Sequence, residues 1–352
     1  MSMRDEQMYK QEIAKRLDKI LPPSDIPALG EVYHGKVRDV YVQDEHIIMV
    51  ATDNLSTFDH VMETLIPYKG IVLNMFAKRA FDQVKDILPS AMVDSPDPSV
   101  VVQKKLTNVW IEWVVRGYMW WRIAVAYETW ERNFCGIELW DGLWSYEKLP
   151  TPLFTPTTKY EASDRNLTPE DVEALVGKEM ADLVQQKAIA LYARGAAVAK
   201  EKWFILIDTK YEFWTDEKGE LYLIDEMHTP DSSRYCTVQE WEAKFPCIQQ
   251  EMNTGKRENV SQLLSAKPEL KLKEYSKQYI RDVVAQWWVT YKDGKIVADK
   301  FPKLTDEQII EMVYRYVSTY EDLTWEVFDF SVLDEDPKER LMRNLKEWGY
   351  IT

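Results

Sequence analysis

Apolar residues recur at helical spacing along residues 5–21 and again from Thr305 to Leu323, and both stretches are predicted to be amphipathic helices. Further helices are predicted at residues 70–87, 169–201 and 336–349, the second of these covering one or two helices. The 169–201 stretch has a typical N-terminus, because Thr168 at the N-cap position is followed by a proline and two acidic residues.

Short β-rich runs between these helices predict strands. They lie within residues 31–67, with Asp44-Glu45 as a hairpin tip, at 101–106, at 109–119, and in a hairpin over 203–226. Residues 133–168 are rich in Pro, Gly and Thr and are predicted to be ordered but irregular. The chain has 352 residues, more than one compact core usually holds. We therefore expect two lobes, residues 1–107 and 108–352, divided at the polar break Thr107-Asn108.

The hairpin over residues 203–226 carries an unusual pattern of charges. Strand alternation would put Asp208, Lys210 and Glu212 on the same face as the apolar Phe204 and Leu206. A turn centred between residues 218 and 219 would set residue 212 roughly opposite residue 225, and two acids that close favour a cation between them. Mg²⁺ is one cation that would fit between the two acids. The alternative is a solvated hairpin face on which Lys210 bridges them.

The returning strand of this hairpin ends in the sequence YLIDEMHTPDSSRY, residues 222–235. Two adjacent acids, Asp225 and Glu226, close a buried apolar run, and Arg234 follows beside two serines. A guanidinium group in that setting offers a planar set of donors to a carboxylate or a phosphate.

Composition narrows the class of protein. The chain is 45% hydrophobic and 29% charged with a net charge of −15, which is typical of a soluble globular protein and argues against a general nucleic-acid surface. An anionic ligand would need a local cluster of Lys and Arg. Three cysteines without CxxC spacing, not clustered with the four histidines, argue against zinc and predict free, buried thiols in a reducing cytoplasm. We find neither the apolar core of a signal peptide nor a membrane-spanning run.

Several motifs resemble those of the SAICAR synthetase family, the phosphoribosylaminoimidazole-succinocarboxamide synthases. They occur in family order: GKVRDVY (35–41), ATDNLSTFD (51–59), IPYKGIVLN (66–74), VVRGY (114–118), KLPTPLFTPTTK (148–159), DTKYEF (208–213), LIDEMHTPDSSRY (223–235) and QYIRD (278–282). DTK-x-EF followed by LIDE-x-x-TPDSSR is highly specific, whereas GKVRD has a single glycine and is no Walker loop. The resemblance implies an α+β fold of two lobes, related to ATP-grasp and kinase-like architectures, with ATP in the cleft between them.

The same resemblance implies an activity. Members of the family are ATP-dependent ligases of purine biosynthesis that join the carboxylate of carboxyaminoimidazole ribonucleotide (CAIR) to the amine of L-aspartate. The products are SAICAR, ADP and phosphate, formed through an acyl phosphate. For this chain the resemblance implies ATP and Mg²⁺ as cofactors, these two small-molecule substrates, a cytoplasmic location and no nucleic-acid or membrane partner; it is compatible with a homo-oligomer.

Matching positions receive roles from the family. The ATP and metal side would comprise Lys36 and Arg38 over the phosphates, Lys159 near the γ-phosphate, Glu212 and Asp225 on Mg²⁺, the adenine-binding hinge Lys105, Leu106 and Thr107, and Glu112 just after it. The substrate side would comprise Ser56, Asp59, Arg116, Arg122, Asp164, Asp208, Lys210, Arg234 and Arg281. The catalytic residues among them would be Lys36, Lys159, Asp208 and Lys210.

The chain also departs from the family pattern. Trp121-Arg122 stands where Gly-Ser is expected, and residues 160–168 are shorter than the family's run and lack its histidine. Asn54 replaces a usual arginine, and the segment between Arg234 and Gln278 is longer than usual. The first two departures fall on the amine side of the reaction. Either Arg122 restores a lost cation and aspartate remains the substrate, or the pocket admits another amine, or the loop is misaligned.

Other functions compete with this one. A paralogous amide ligase would use a different amine or carboxylate. A kinase-like phosphotransferase is a second alternative, although the sequence lacks the HRD and DFG motifs of protein kinases. A nucleotide-binding scaffold without catalysis is a third, against which stand four intact residues, Lys36, Lys159, Glu212 and Asp225. Simpler roles are a surface ion pair for Arg38 with Asp39, a solvated helix face for Arg281 and a helix cap for Asp59.

Overall fold

The computed structural model describes residues 5–57, 60–108, 111–120, 122–159, 165–254, 259–288, 290–292, 295–297 and 303–352. Its strands are β1 (Val32–His34), β2 (Arg38–Val42), β3 (His46–Ala51), β4 (Asn54–Thr57), β5 (His60–Leu65), β6 (Met92–Asp94), β7 (Val100–Lys104), β8 (Thr107–Asn108), β9 (Ile111–Tyr118), β10 (Asn133–Phe134), β11 (Ile137–Glu138), β12 (Lys148–Phe154), β13 (Thr157–Thr158), β14 (Phe204–Thr215), β15 (Leu221–Ile224), β16 (Ser233–Thr237), β17 (Thr290–Lys292) and β18 (Lys295–Val297). Its helices are α1 (Glu6–Ala14), α2 (Lys69–Asp82), α3 (Arg122–Glu128), α4 (Pro169–Val176), α5 (Lys178–Glu201), α6 (Val238–Asn253), α7 (Val260–Ala266), α8 (Gln278–Trp288), α9 (Asp306–Thr324) and α10 (Pro337–Glu347).

A five-stranded antiparallel sheet is built from the first part of the chain, in the order β1-β2-β3-β7-β6. Val42 pairs with Ile47, which confirms the predicted hairpin tip at Asp44-Glu45. One face of this sheet packs against the last helix, because Leu341 and Leu345 of α10 lie in one apolar cluster with residues of β2, β3 and β7.

A seven-stranded sheet holds the centre of the molecule. Its main order is β12-β9-β14-β15, with β13 paired to β9 and with β8 and β16 paired to β14. The largest apolar cluster joins one face of this sheet to α2, α5 and α9. Ile205 and Ile207 of β14 belong to a second cluster, which also contains Phe245 of α6 and Leu263 of α7. Helices therefore cover both faces of the middle strand.

The predicted face pattern of β14 is wrong beyond Leu206. The ladder with β16 shifts register between Leu206 and Asp208, which marks a β-bulge. As a result Tyr211 and Phe213 join Phe204 and Leu206 in the main core. An extra residue in the strand reverses the alternation, so the charged positions after it face away from that core.

The predicted elements mostly match the structure, with a few local differences. The first helix ends at Ala14 rather than at residue 21. The 169–201 stretch, predicted as one or two helices, forms two, α4 and α5, which meet at Gly177 with φ of 80°. The predicted N-cap at Thr168 is confirmed, and it forms a capping box with Asp171. Residues 107–108 form a short strand, and the stretch predicted to be irregular contains β10 to β13. The three thiols are free, but Cys247 is exposed rather than buried.

The long segment after Arg234 folds into helices that pack on the sheet. Its α6 and α7 cover Ile205 and Ile207, and Trp241 of α6 donates its indole N–H to the carbonyl oxygen of Tyr146 at 2.8 Å. No helix in the described ranges is both long and apolar enough to cross a membrane.

Candidate functional site

A cleft of about 520 Å³ runs over the charged end of β14. It is walled by the β1–β2 loop, β9, the chain that follows β15, and the start of α8. Of the predicted site residues it gathers Lys36, Arg38, Ser56, Glu112, Arg116, Arg122, Asp208, Lys210, Asp225, Arg234 and Arg281. The strand bulge described above is what points the charged positions of β14 toward it.

One end of the cleft is built around the buried carboxylate of Glu212, which is 4% exposed. The Lys210 ammonium lies 2.5 Å from Oε1 of Glu212 and 3.1 Å from Oε1 of Glu112, and Lys159 pairs with Oε2 of Glu212. Burial acts to raise the pKa of Glu212, but the two ammonium groups outweigh it and lower the pKa to about 2. Glu212 is therefore ionised throughout the physiological range.

Asp225 lies at the same end of the cleft but not where the strand register was predicted to place it. Ile224, rather than Asp225, pairs with Glu212, because β15 ends at Ile224. The backbone of Asp225 is left-handed, with φ of 64°. This conformation is uncommon for a residue with a Cβ and indicates a constrained position. It takes Asp225 out of the ladder, and its carboxylate pairs with Arg38.

The opposite end of the cleft carries a row of charges across three neighbouring strands. Asp208 of β14 is in register with Arg116 of β9 on one side and Arg234 of β16 on the other. Its Oδ2 lies 2.8 Å from Nη1 of Arg116 and 2.5 Å from Nη1 of Arg234. Two guanidinium groups share one carboxylate that is 2% exposed, and Arg122 and Arg281 line the same cleft. This end is the local cluster of cations that an acidic protein needs to bind an anion.

The three predicted hinge residues are not among the described residues that line this cleft. Lys105 is exposed and donates to the Gln43 carbonyl oxygen at 3.3 Å. Leu106 packs beside Tyr222. Thr107, in β8, pairs with Thr215 of β14. Their predicted contact with adenine stays a prediction.

Asp59 and Asp164, together with Trp121 of the divergent motif, lie outside the described residues. Asn54, which stands where the family usually has arginine, is described and buried. Its side-chain amide donates to the carbonyl oxygen of Lys36 at 3.2 Å. The substitution therefore holds the loop that carries Lys36.

A buried polar cluster at the margin of the cleft was not predicted from the sequence. Asp231 accepts from Lys69 at 3.2 Å, from Lys277 at 3.3 Å and from the hydroxyl of Tyr316. Gln278, next to Lys277 in the chain, lines the same cleft. Asp231 lies within the quoted TPDSSR motif and Lys277 directly precedes QYIRD, so proximity to a motif was the available signal. Lys69 also lies within a quoted motif, IPYKGIVLN, but nothing in the pattern pairs it with Asp231 or Lys277.

Among the residues that the structure describes, no group of three or more His, Cys, Asp or Glu side chains is arranged to hold a metal ion. The predicted Mg²⁺ would therefore depend on two carboxylates, Glu212 and Asp225, completed by phosphate oxygens. That donor set is one that Mg²⁺ commonly takes.

Comparisons with known proteins agree with the geometry. A family model described as SAICAR synthetase matches residues 31–256. The chain is 36% identical to a putative phosphoribosylaminoimidazole-succinocarboxamide synthase 2 of Agrobacterium fabrum, over 93% of this chain and 98% of that protein. It is 37% identical to the phosphoribosylaminoimidazole-succinocarboxamide synthase of Azobacteroides pseudotrichonymphae genomovar. CFP2, over 86% of this chain and 87% of that protein.

A solved structure supports the same assignment. The SAICAR synthase of Saccharomyces cerevisiae complexed with SAICAR superposes with a TM-score of 0.69 at 26% identity, covering 88% of this chain and 99% of that chain. The α+β fold predicted from the motifs is thereby confirmed. Since both the family model and relatives above 30% identity cover most of its length, the chain belongs to the SAICAR synthetase family.

Proposed function

We propose that the cleft joins the carboxylate of CAIR to the amine of L-aspartate at the expense of ATP, giving SAICAR, ADP and phosphate in purine biosynthesis. The observation that carries the proposal is the division of one cleft into two ends. One end has buried acids held by lysines, and the other has arginines that share a single carboxylate. Membership of the family, whose relatives bear the name of this activity, supports it.

The lysine end suits the phosphates of a nucleotide. Lys36 and Arg38 approach from the β1–β2 loop and the start of β2, while Lys159 and Lys210 approach from the sheet. Glu212, ionised by its lysine partners, and Asp225, turned out of its strand, are the residues that would hold Mg²⁺. When bound there, the metal would neutralise charge on the phosphoryl group that is transferred.

The arginine end suits an anionic ribonucleotide. Arg116 and Arg234 are held in fixed positions by Asp208, and Arg116 also donates to the hydroxyl of Thr155 at 3.1 Å. A preorganised guanidinium group loses little freedom when it binds a phosphate or a carboxylate. Arg122 and Arg281 add positive charge to the same wall.

The chemistry follows from the two ends opening into one cleft. A carboxylate is a poor acyl donor, because its leaving group would be oxide. Transfer of a phosphoryl group to the CAIR carboxylate provides a better leaving group, and this transfer needs mostly positioning and charge neutralisation. Lys159 and Lys210 supply positive charge where the nucleotide phosphates would meet the CAIR carboxylate.

The proposal is tested by turnover with a panel of amines. The protein is incubated with ATP, Mg²⁺ and CAIR together with each amino acid in turn, and ADP and the ligated product are followed. We expect ADP formation that requires both CAIR and aspartate. Turnover with a different amine instead of aspartate would identify that amine as the substrate. Tight ATP binding without turnover would contradict the proposal that the protein is an enzyme.

A further inference from the structure

Two lysines share one carboxylate in the buried cluster around Asp231. Lys69 and Lys277 both point their ammonium groups at Oδ2 of Asp231, at 3.2 Å and 3.3 Å, and Tyr316 donates to Oδ1 of the same carboxylate. Lys69 is 2% exposed, whereas Lys277 lines the cleft. Lys277, which faces the cleft, is thus paired with Asp231, and Lys69 already neutralises the charge of that carboxylate.

This setting changes the acidity of Lys277. Burial lowers its pKa to about 8; the Asp231 carboxylate opposes the change, and the positive charges of Lys69 and Arg281 add to it. Glu226, from the chain after β15, also opposes it. A lysine in this range is partly neutral near physiological pH and can accept a proton.

Gln278 gives an independent indication of what binds beside Lys277. The side-chain Nε2 of Gln278 donates to Oδ1 of Asp282 at 3.0 Å, which fixes the orientation of the amide. Its Oε1 is buried and has no partner among the described residues, although the residue is only 3% exposed. A buried acceptor without a donor costs free energy and is rare, which indicates that a ligand supplies the missing N–H or O–H.

We propose that Lys277 is the general base for the amine substrate and that Oε1 of Gln278 accepts a hydrogen bond from that amine. The inference rests on the proposed ligase reaction and names the residues that handle its acceptor, an amino acid bound as its ammonium form. Neutral Lys277 takes one proton from the ammonium group. The freed nitrogen forms the C–N bond to the acyl carbon, the C–O bond to phosphate breaks with its electron pair, and the second proton leaves the nitrogen with the phosphate.

The decisive test compares two nucleophiles in one enzyme. Hydroxylamine is already unprotonated at neutral pH and needs no base to attack an acyl phosphate, whereas aspartate does. Lys277→Arg keeps the positive charge but cannot serve as a base, because a guanidinium group stays protonated. We expect Lys277→Arg to lower kcat with aspartate by about 10²–10⁴-fold and to leave hydroxamate formation nearly unchanged. The matched control is Lys267→Arg, on a lysine that pairs with Glu251 at 2.8 Å and does not line the cleft.

The wild-type protein provides a second measurement that does not depend on a variant folding. With saturating aspartate, kcat should fall as the pH drops below about 8, and the hydroxylamine reaction should lack this limb. Gln278→Leu should raise KM for the amino acid without changing KM for ATP.

Each outcome decides between the proposals. An equal loss with both nucleophiles in Lys277→Arg, or no loss with either, overturns the assignment of Lys277. The same acid limb with both nucleophiles in the wild type also overturns it. Wild-type protein that forms neither SAICAR nor hydroxamate would instead contradict the ligase function itself.

Discussion

At the scale of single residues, the conformation of Asp225 is central to the account. Its left-handed backbone lifts the side chain out of the hairpin ladder and toward Arg38. Burial acts to lower the pKa values of Lys159 and Lys210, but nearby carboxylates, those of Glu212 and Asp225 among them, outweigh it and raise both pKa values. A strained position of this kind persists when the surrounding structure holds it.

We expect Asp225→Asn to abolish ligase activity while the protein stays folded. Asparagine tolerates the left-handed conformation and has a similar shape, so the variant removes charge with little strain. Activity and thermal unfolding are measured for the same samples. The control is Asp182→Asn, which changes an exposed carboxylate of α5 that lies 3.2 Å from the Lys178 ammonium. Near-normal turnover in Asp225→Asn would show that the metal assignment is wrong.

At the residue scale, the motifs indicated several side chains that the structure gathers in one cleft, whereas the roles of these side chains stay predictions. Arg116, Asp208 and Arg234 were assigned to one site, and the structure brings them into one row. Lys69 was missed, because its partner Asp231 is 162 residues away in the chain and the pairing depends on how α2 packs. Tertiary pairings of this kind leave no periodic signal in the sequence.

At the scale of elements, the central strand β14 shows the limit of periodicity. Its length and hairpin partner were predicted, but the bulge after Leu206 reverses which side chains face the core. A bulge inserts a residue without changing the composition of the strand, so alternation alone cannot reveal it. The helix that follows Thr305 was predicted closely, since its apolar stripe and capping box are both local features.

The segment that precedes α8 is joined to the end of β9 through Glu274. The indole N–H of Trp120 donates to Oε1 of Glu274 at 2.8 Å, and Ser276 lies 3.3 Å from Oε2. Burial raises the pKa of Glu274 to about 7 from an ordinary value of 4.5, while Arg234 and Trp120 act to lower it. Between pH 4.5 and about 7, the folded protein therefore keeps a proton on Glu274 that the unfolded chain has released.

This raised pKa predicts a dependence of stability on pH. Between pH 4.5 and about 7 the folded state binds more protons at Glu274, so the free energy of unfolding falls as the pH rises. We expect Glu274→Gln to keep the Trp120 hydrogen bond and to remove this loss, making the variant more stable at pH 8 by up to about 3 kcal/mol. Urea unfolding at pH 5 and pH 8 measures it, and a stability difference that is the same at both pH values would contradict the assignment.

At the scale of the whole molecule, the last helix, α10, is held on the first sheet by a buried ion pair. Arg340 of α10 is 4% exposed and binds the buried carboxylate of Asp97, with Nε 3.0 Å from Oδ2. It also donates to Ser99 at 2.9 Å and to the carbonyl oxygen of Val332 at 2.7 Å. The last helix is therefore held to the five-stranded sheet by polar contacts as well as by its apolar face.

We expect Arg340→Met to destabilise the protein by about 3–5 kcal/mol, because it leaves the Asp97 carboxylate buried with one less cation. The matched control is Arg343→Met on the same helix. Arg343 forms an exposed ion pair with Glu335, with Nη2 2.7 Å from Oε2. Loss of that surface pair should cost less than about 1 kcal/mol. Urea unfolding compares the two variants, and equal effects would contradict a structural role for the buried pair.

The fold class and the family follow from the sequence motifs, but the division into lobes stays a prediction. The proposed boundary falls where β7 of one sheet leads into β8 of the other. The packing of α10 on the first sheet was not foreseen, because an amphipathic helix reveals its apolar face but not the surface that covers it.

The central claim, that the cleft activates a carboxylate by phosphorylation before the amine attacks, can be tested with labelled CAIR. CAIR carrying ¹⁸O in both carboxylate oxygens is converted with ATP and aspartate, and the released phosphate is analysed by mass spectrometry. We expect one ¹⁸O in each phosphate released, because the bond between the acyl carbon and the bridging oxygen breaks and that oxygen leaves with the phosphate. Phosphate without label would contradict it.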